Sequence, residues 1–283
     1  MDKLKQMENY IHNNHSEGDF YAIYPFTTEN IDGYIDLFDL EGKSLLTLGS
    51  STDQAINAGL VGCKNITIFD ICPSTKFYYF LKYASLLSLE REMFLNFLCK
   101  TNYRKNQSSN PNLYKKTIFD KIKETLKSLD YESYTIWDYL FNKYGTEEIS
   151  RLFKNDVNQV NSIIGCNRYL MNDDMYQLAR KKMKDVDIKF IEGDVLSPSL
   201  TEEYDNVWLS NVAKYLTEKD IKIMMEQMSS LLKQSGKMLI NYFYSPCIPY
   251  KSRNALYGYA YDKVIISGEP LDICDNSILV YKK

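Results

Sequence analysis

Histidine is almost absent from this chain, which has only two in 283 residues. Both of them, His12 and His15, lie in the polar segment at the start of the sequence. A Ser-His-Asp triad or a histidine-rich metal centre built into the core is therefore strongly disfavoured, and no metal site is expected. The two histidines could fold over a site as a lid, but a solvated leader helix is the simpler expectation.

Closely spaced cysteine pairs are also lacking. The six cysteines are scattered, and no two of them are spaced as C-x-x-C. This pattern favours reduced thiols that mostly fill the core over a zinc site or a disulfide framework. The residues are Cys63, Cys72, Cys99, Cys166, Cys247 and Cys274.

Long apolar runs and excess positive charge are missing as well. No apolar run approaches the ~20 residues that span a bilayer, so no transmembrane segment is expected. The first 20 residues lack the apolar core of a signal peptide, which points to a cytoplasmic protein. A net charge of −3 makes nucleic acid an unlikely partner, because such binders usually present a basic face.

The most informative stretch that is present runs from residue 45 to residue 71 and reads LLTLGSSTDQAINAGLVGCKNITIFDI. An apolar run stops at Gly49 and is followed by small polar residues and a helical segment, and a second apolar run ends at Asp70. A strand, a glycine turn, a helix and a strand ending in an acid form the nucleotide-binding half of a doubly wound sheet. Ser51 stands where a second glycine would be, so this motif alone predicts a nucleotide site only weakly.

Further strands are separated from these two by a long helical stretch. The predicted strands cover 44–48, 65–70, 187–194, 205–211, 236–244 and 277–283. The predicted helices cover 76–98, 113–129, 131–143, 146–154 and 172–184. The pattern predicts an α/β fold with a doubly wound, mostly parallel Rossmann-like sheet and an α-helical insertion between the second and third strands. The expected segments are an N-terminal helical and aromatic segment (1–40), the first part of the core (41–100), the insertion (101–184) and the second part of the core (185–283).

Polar residues follow the third and fourth predicted strands. The third strand ends in EGD, which places Asp194 and the backbone of Val195 near the carboxyl edge of the sheet. A mundane turn or helix N-cap explains that Gly-Asp pair equally well. Ser210 and Asn211 come at the carboxyl end of the fourth strand, where a substrate is expected.

In this order and spacing, TLGSSTD, FDI, EGD, WLSN and SGKMLI resemble the class I S-adenosylmethionine-dependent methyltransferases. The resemblance covers about 44–98 and 185–283, and it implies S-adenosylmethionine as the cofactor. It also implies a fold with a methyltransferase-type Rossmann-like sheet. The implied nucleoside contacts are Asp70 with Ile71 at the ribose, and Asp194 with Val195 beside the adenine.

The same resemblance implies that the methionine moiety lies against Gly49, Ser50 and Ser51. Here the sequence departs from the family pattern, because the usual E/D-x-G-x-G-x-G appears as TLGSSTD. Asp53 could compensate by binding the ammonium group of the methionine moiety. A carboxylate in the first turn of a helix also needs no ligand to explain it.

A second resemblance is narrower. The run from Asp70 to Leu98, with Lys82 in an apolar helix, is similar to the S-adenosylmethionine:diacylglycerol 3-amino-3-carboxypropyl transferases of betaine-lipid synthesis. The LSN turn at 209–211, followed by Tyr215 and Leu216, adds to this similarity. The likeness accounts for the helical insertion, but a shared fold does not fix the reaction.

These resemblances lead to two enzyme hypotheses. The first is transfer of a methyl group to a small molecule or metabolite. The second is transfer of a 3-amino-3-carboxypropyl group to a lipid headgroup or a small molecule. A third hypothesis is a non-catalytic cofactor-binding or scaffold protein. The candidate general bases are Tyr24, in an aromatic segment (21–30) that could close over the cofactor, and Tyr242. Packing of that segment on the sheet edge explains it equally well. The pattern says nothing about the oligomeric state.

Overall fold

The computed structural model of the chain describes residues 2–12, 23–99, 111–153, 160–243, 261–266 and 276–283. Its strands are β1 (Ser44–Leu48), β2 (Asn65–Asp70), β3 (Asp187–Glu192), β4 (Tyr204–Trp208), β5 (Leu232–Phe243), β6 (Tyr261–Ile266) and β7 (Asn276–Lys282). They form one sheet in the order β3-β2-β1-β4-β5-β7-β6. The first five strands are parallel, and β7 runs antiparallel to both β5 and β6. This arrangement confirms the predicted doubly wound, mostly parallel Rossmann-like sheet.

Both faces of the sheet are covered, which explains why the parallel strands read as apolar runs. In β1, Leu45 packs in one buried cluster and its neighbour Leu46 packs in the other. In β2, Ile68 and Phe69 divide in the same way, because successive side chains of a strand point to opposite faces.

The helices are α1 (Asp2–His12), α2 (Ile31–Tyr34), α3 (Asp53–Leu60), α4 (Thr75–Ser88), α5 (Arg91–Leu98), α6 (Lys116–Leu129), α7 (Tyr131–Lys143), α8 (Thr146–Ser150), α9 (Val160–Cys166), α10 (Asp173–Lys182) and α11 (Glu218–Ser230). Thr217 and Asp220 form a capping box at the start of α11. The helices of the predicted insertion lie between β2 and β3, as expected.

The single helix predicted over 76–98 was wrong, because the chain breaks it into α4 and α5. Leu89 takes an extended conformation with ψ of 150° between the two helices. Its carbonyl oxygen accepts hydrogen bonds from the Tyr176 hydroxyl (3.1 Å) and the Arg180 guanidinium, both on α10. Contacts with a distant helix therefore satisfy a backbone group that a continuous helix would have used.

The strand pattern also missed one element. β6 was not predicted, and it pairs antiparallel with β7 at the sheet's outer edge. β5 begins at Leu232, four residues before the predicted start at 236.

The helices of the insertion pack directly on the core. α6 and α7 contact α4, and the indole Nε1 of Trp137 on α7 donates a hydrogen bond to the Phe77 carbonyl oxygen at 2.8 Å. One buried apolar cluster includes residues from α1, from the strands and from the insertion. The insertion therefore shares a hydrophobic core with the sheet.

Four of the cysteines lie in the described residues and are buried, free thiols, as expected for core residues. Burial raises the pKa of Cys63, Cys72, Cys99 and Cys166 to about 12. Cys247 and Cys274 lie outside the described residues. Among the described helices, none has the length and apolar character that a membrane crossing needs.

Candidate functional site

A cavity of about 520 Å³ opens at the carboxyl ends of β1 to β4. It lies where the chain order reverses between β1 and β4, which is the usual ligand crevice of a doubly wound sheet. Its volume falls within the range of about 300–1,000 Å³ that small-molecule sites occupy. Of the predicted site residues, its walls include Tyr24, Ser50, Asp70, Ile71, Asp194, Val195, Ser210 and Asn211.

The turn after β1 keeps a glycine-like shape although it contains serine and threonine. Ser50 and Thr52 adopt φ values of 42° and 63°, in the left-handed region that favours glycine. A Cβ atom at Gly49 would lie 2.3 Å from Thr75 Cγ2 and 2.5 Å from Asp70 Oδ2. Gly49 is therefore required for the close approach of Asp70, and it does not itself line the cavity.

Asp70 organises this turn and also faces the cavity. Its Oδ2 accepts hydrogen bonds from the Ser50 N–H (2.7 Å) and the Thr75 hydroxyl (2.9 Å), and its Oδ1 accepts from the Cys72 N–H (2.8 Å). Burial raises the pKa of Asp70, and these hydrogen bonds oppose the rise. The carboxylate thus fixes the ends of β1 and β2 relative to each other.

Asp194 forms the turn that its sequence context suggests and also lies in the cavity wall. Its Oδ1 accepts a hydrogen bond from the Leu196 N–H at 2.9 Å, which is ordinary turn chemistry, and the residue also lines the cavity. Close by, the Phe69 ring packs on Gly193, where a Cβ atom would come within 2.8 Å of the ring. Ile71 is an apolar wall residue with 43% of its surface exposed. This end of the cavity offers apolar surface next to a carboxylate.

The structure corrects the prediction for Asp53. Its side chain is 0% exposed, does not line the cavity and forms an ion pair with Lys82, with 2.5 Å between Nζ and Oδ1. The Thr27 N–H (2.6 Å) and the Tyr169 hydroxyl (2.7 Å) donate to the same carboxylate. Because Asp53 is paired with Lys82 inside the protein and does not line the cavity, it is not positioned to bind a ligand ammonium group.

Lys82 joins the N-terminal segment to the turn after β1. Its ammonium donates to the carbonyl oxygens of Pro25 (2.9 Å) and Ser51 (3.0 Å), and it lies 4.3 Å from the centre of the Phe26 ring. Burial lowers the pKa of Lys82, and the Asp53 carboxylate opposes that change. Ser51 therefore contributes its backbone to this cluster and, unlike Ser50, does not line the cavity.

Glu29 is a cavity residue that the sequence reading did not single out. It is 2% exposed, its Oε1 accepts a hydrogen bond from the Ser210 hydroxyl, and its Oε2 accepts from the Tyr34 hydroxyl at 3.2 Å. Burial raises its pKa, and hydrogen bonds from Ser210, Tyr34 and Gln54 oppose the rise. The available signal was a carboxylate in the aromatic segment that was expected near the cofactor.

The two candidate bases have different outcomes. Tyr24 lines the cavity. Tyr242 belongs to β5, but its side chain lies outside the part of the chain that the structure describes. His15 also lies outside it, whereas the ring of His12 is 3.0 Å from the Tyr144 hydroxyl and does not line the cavity.

No protein-family profile matches the chain, and no curated protein matches its sequence. Solved structures with a similar arrangement include N-methyltransferase NodS from Bradyrhizobium japonicum WM9 with S-adenosyl-L-homocysteine (10% identity, TM-score 0.42, 100% of this chain and 99% of that chain). Magnesium protoporphyrin IX methyltransferase from Synechocystis PCC 6803 with bound SAM has 11% identity and a TM-score of 0.39 over 100% of this chain and 98% of that chain. The ribosomal protein L11 methylase of Lactobacillus delbrueckii subsp. bulgaricus has 10% identity and a TM-score of 0.41 over 90% of this chain and 76% of that chain. Function must therefore be argued from the cavity itself.

Proposed function

We propose that this chain is an S-adenosylmethionine-dependent transferase that moves a methyl group to a small-molecule acceptor. The observation that carries the proposal is the meeting of four separate sequence motifs in one cavity. Asp70 is the last residue of β2, and Ser50, Asp194 and Ser210 follow β1, β3 and β4; all four line that cavity. Motifs that are each loose in the sequence thus share one place at the switch point of the sheet.

The residues present fit the proposed cofactor. Asp70 would accept hydrogen bonds from the ribose, and Asp194 would accept from the exocyclic amine of the adenine. Val195 and Ile71 would cover the apolar faces of the base, which accounts for an isoleucine that is 43% exposed at the cavity wall. Ser50 would lie beside the methionine chain, near the start of α3.

The charges of the cavity support a cationic ligand. Among the described residues, its walls carry Glu29, Asp70 and Asp194 against a single lysine, Lys214. Walls of one charge sign concentrate ligands of the opposite sign. S-adenosylmethionine supplies an electrophilic carbon bonded to a positively charged sulfur. The protein's part is to align the acceptor with that carbon and to exclude water.

The N-terminal segment supplies the remaining wall. Tyr24, Thr27 and Thr28 line the cavity, and Lys82 ties this segment to the turn after β1. In our proposal the Tyr24 hydroxyl touches the acceptor and relays its proton, taking it up as the hydroxyl's own proton passes to solvent water. The volume of the cavity suits a small molecule better than an extended chain.

Titration calorimetry with S-adenosylmethionine and S-adenosylhomocysteine tests the cofactor. The wild-type protein should bind both, and Asp70→Ala should weaken binding by about 1.5–3 kcal/mol, because a charged acceptor is lost. Asp187→Ala is the matched control, since this exposed acid lies at the start of β3, at the end of the strand away from the cavity. Unfolding curves of both variants separate lost binding from a disordered turn. Failure of the wild-type protein to bind at millimolar concentration would refute the proposal.

The transferred group is tested by identifying the product. The protein is incubated with S-adenosylmethionine and fractionated extract, and nucleoside products are scored by mass. Methyl transfer yields S-adenosylhomocysteine, whereas 3-amino-3-carboxypropyl transfer leaves methylthioadenosine. Accumulation of methylthioadenosine would replace methyl transfer by the second reaction.

A further inference from the structure

We propose that Glu29 and Gln54 bind the primary ammonium group of the cofactor's amino-acid chain. This assignment rests on the proposed function and names the residues that hold one end of the ligand. It replaces the role predicted for Asp53, whose carboxylate is already paired.

Glu29 is a buried carboxylate whose described partners are neutral. Its hydrogen-bond donors are the hydroxyl groups of Ser210 and Tyr34 and the side chain of Gln54. Within the described residues, no lysine, arginine or histidine pairs with it. A buried carboxylate without a cationic partner is costly unless a ligand supplies the missing charge.

Beside Glu29, the side chain of Gln54 supplies an acceptor atom that has no donor. Gln54 lines the cavity, is 2% exposed, and its Oε1 has no hydrogen-bond partner among the described residues. Buried polar atoms are satisfied in the great majority of native structures, so an orphaned one calls for a ligand or ordered water. An ammonium group carries three donors and no acceptor, which matches a carboxylate beside an orphaned amide oxygen.

The chain contains its own comparison in Asp53. Asp53 and Glu29 are both nearly inaccessible to solvent, and Asp53 receives the Lys82 ammonium at 2.5 Å. Glu29 lines the cavity, whereas Asp53 does not. The protein thus neutralises the carboxylate that lies behind the cavity wall, and the carboxylate on the wall is positioned to be neutralised from the cavity.

The location agrees with the ends of the proposed ligand. Ser210 follows β4, and Gln54 belongs to the first turn of α3, so Glu29 lies where the ends of β1 and β4 meet. Asp194, assigned to the adenine, follows β3, which lies two strands from β1 and three strands from β4 in the sheet. A metal ion suits this place less well, because no group of three or more His, Cys, Asp or Glu side chains among the described residues is arranged to hold one.

The test compares ligands that differ in the amino-acid chain. S-adenosylhomocysteine contains the ammonium group, and 5′-methylthioadenosine lacks the whole amino-acid end. Glu29→Gln, which keeps the shape and removes the charge, should weaken S-adenosylhomocysteine binding by about 10- to 100-fold, as expected for a hydrogen bond between charged groups. It should change methylthioadenosine binding less than about twofold, since that ligand does not reach Glu29.

A second measurement needs no variant at Glu29. An S-adenosylhomocysteine analogue with hydrogen in place of the α-amino group should bind the wild-type protein about 10-fold or more weakly than the parent ligand. Gln54→Leu, which removes only the orphaned acceptor, should show a smaller loss of the same kind. These measurements keep the assignment testable if Glu29→Gln does not fold.

The outcomes separate this assignment from the proposed function. A wild-type protein that binds neither nucleoside overturns both. A wild-type protein that binds both, with Glu29→Gln weakening the two ligands equally or neither of them, overturns the ammonium assignment alone. Weakening of neither ligand is also the result expected if Glu29 binds an amine acceptor instead, because the affinity for S-adenosylhomocysteine would then be unchanged.

Discussion

At the scale of single residues, the most consequential group is the buried cluster around Lys82. The lysine reaches Asp53 on α3 and the carbonyl oxygens of Pro25 and Ser51, while Tyr169 from the insertion donates to Asp53. Four separate segments of the chain therefore meet at one ion pair. Since Ser51 belongs to the turn beside the cavity, this pair positions a wall of the site without touching a ligand.

Lys82→Met should lower the free energy of unfolding by about 3–5 kcal/mol, because it leaves the Asp53 carboxylate buried without a counter-charge. The double variant Lys82→Met/Asp53→Asn should recover a large part of that loss, since neither position of the former ion pair then carries a buried charge. Urea unfolding curves measure both effects.

The matched control for this prediction is Lys222→Met, which removes an exposed ion pair with Glu218 on α11. It should cost less than about 1 kcal/mol, as exposed pairs do. Equal losses for Lys82→Met and Lys222→Met would contradict the assigned role of the buried pair.

At the scale of elements, the ends of the parallel strands are held by carboxylates. Asp70 fixes the carboxyl ends of β1 and β2 relative to each other. Asp205 holds neighbouring strands together near the amino end of β4. The Asp205 Oδ2 accepts hydrogen bonds from the Ser44 N–H (3.0 Å) and the Ser44 hydroxyl (2.7 Å), and it pairs with Lys233 at 2.9 Å. It thereby aligns β1, β4 and β5, and the turns that follow β1 and β4 line the cavity.

Asp205 predicts a pH dependence of stability. Burial acts to raise its pKa, but the Ser44 donors and Lys233 outweigh burial and lower the pKa to about 2 from the ordinary 3.8. Because the folded-state pKa is depressed, this contribution to stability is present above pH 3.8 and is lost as the pH falls towards 2.

Asp205→Asn should therefore lower the free energy of unfolding by about 1–3 kcal/mol at pH 7 and should flatten its acid dependence below pH 4. Chemical unfolding at several pH values measures this. Glu202→Gln, which breaks an exposed pair with Lys189, serves as the control. Parallel pH curves for Asp205→Asn and wild type would show that the contacts of Asp205 do not stabilise the folded state.

At the scale of the whole molecule, the insertion and the sheet share one hydrophobic core. Trp137 on α7 and Trp208 on β4 are both buried in the same cluster, although they belong to segments that the sequence separates. The chain has only these two tryptophans, so each reports on one part of the structure.

We expect the two parts to unfold together. In Trp208→Phe the fluorescence of Trp137 should follow the same urea transition as the far-ultraviolet circular dichroism, and in Trp137→Phe the same should hold for Trp208. Coincident probes are the signature of one cooperative unit. A Trp137 transition at lower urea than the circular dichroism transition would mean that the insertion unfolds independently.

Much of the architecture was readable from the sequence because its signals are local. The apolar runs at 44–48 and 65–70 and the glycine turn between them depend on residues a few positions apart, and β1 and β2 follow them. The polar residues that end these strands were located by the same means, and eight of the predicted site residues line one cavity. Their binding of a ligand stays a prediction.

Only the tertiary structure decided which acids face that cavity. Asp53 follows the turn directly in sequence, yet Lys82, 29 positions later, removes it from the cavity by pairing with it. Glu29 lies before the first strand and reaches Ser210, 181 positions away. The break between α4 and α5 likewise depends on Tyr176 and Arg180 of a distant helix. Hydrophobic period and turn chemistry act over a few residues, whereas the pairing of buried charges depends on which segments the folded core brings together.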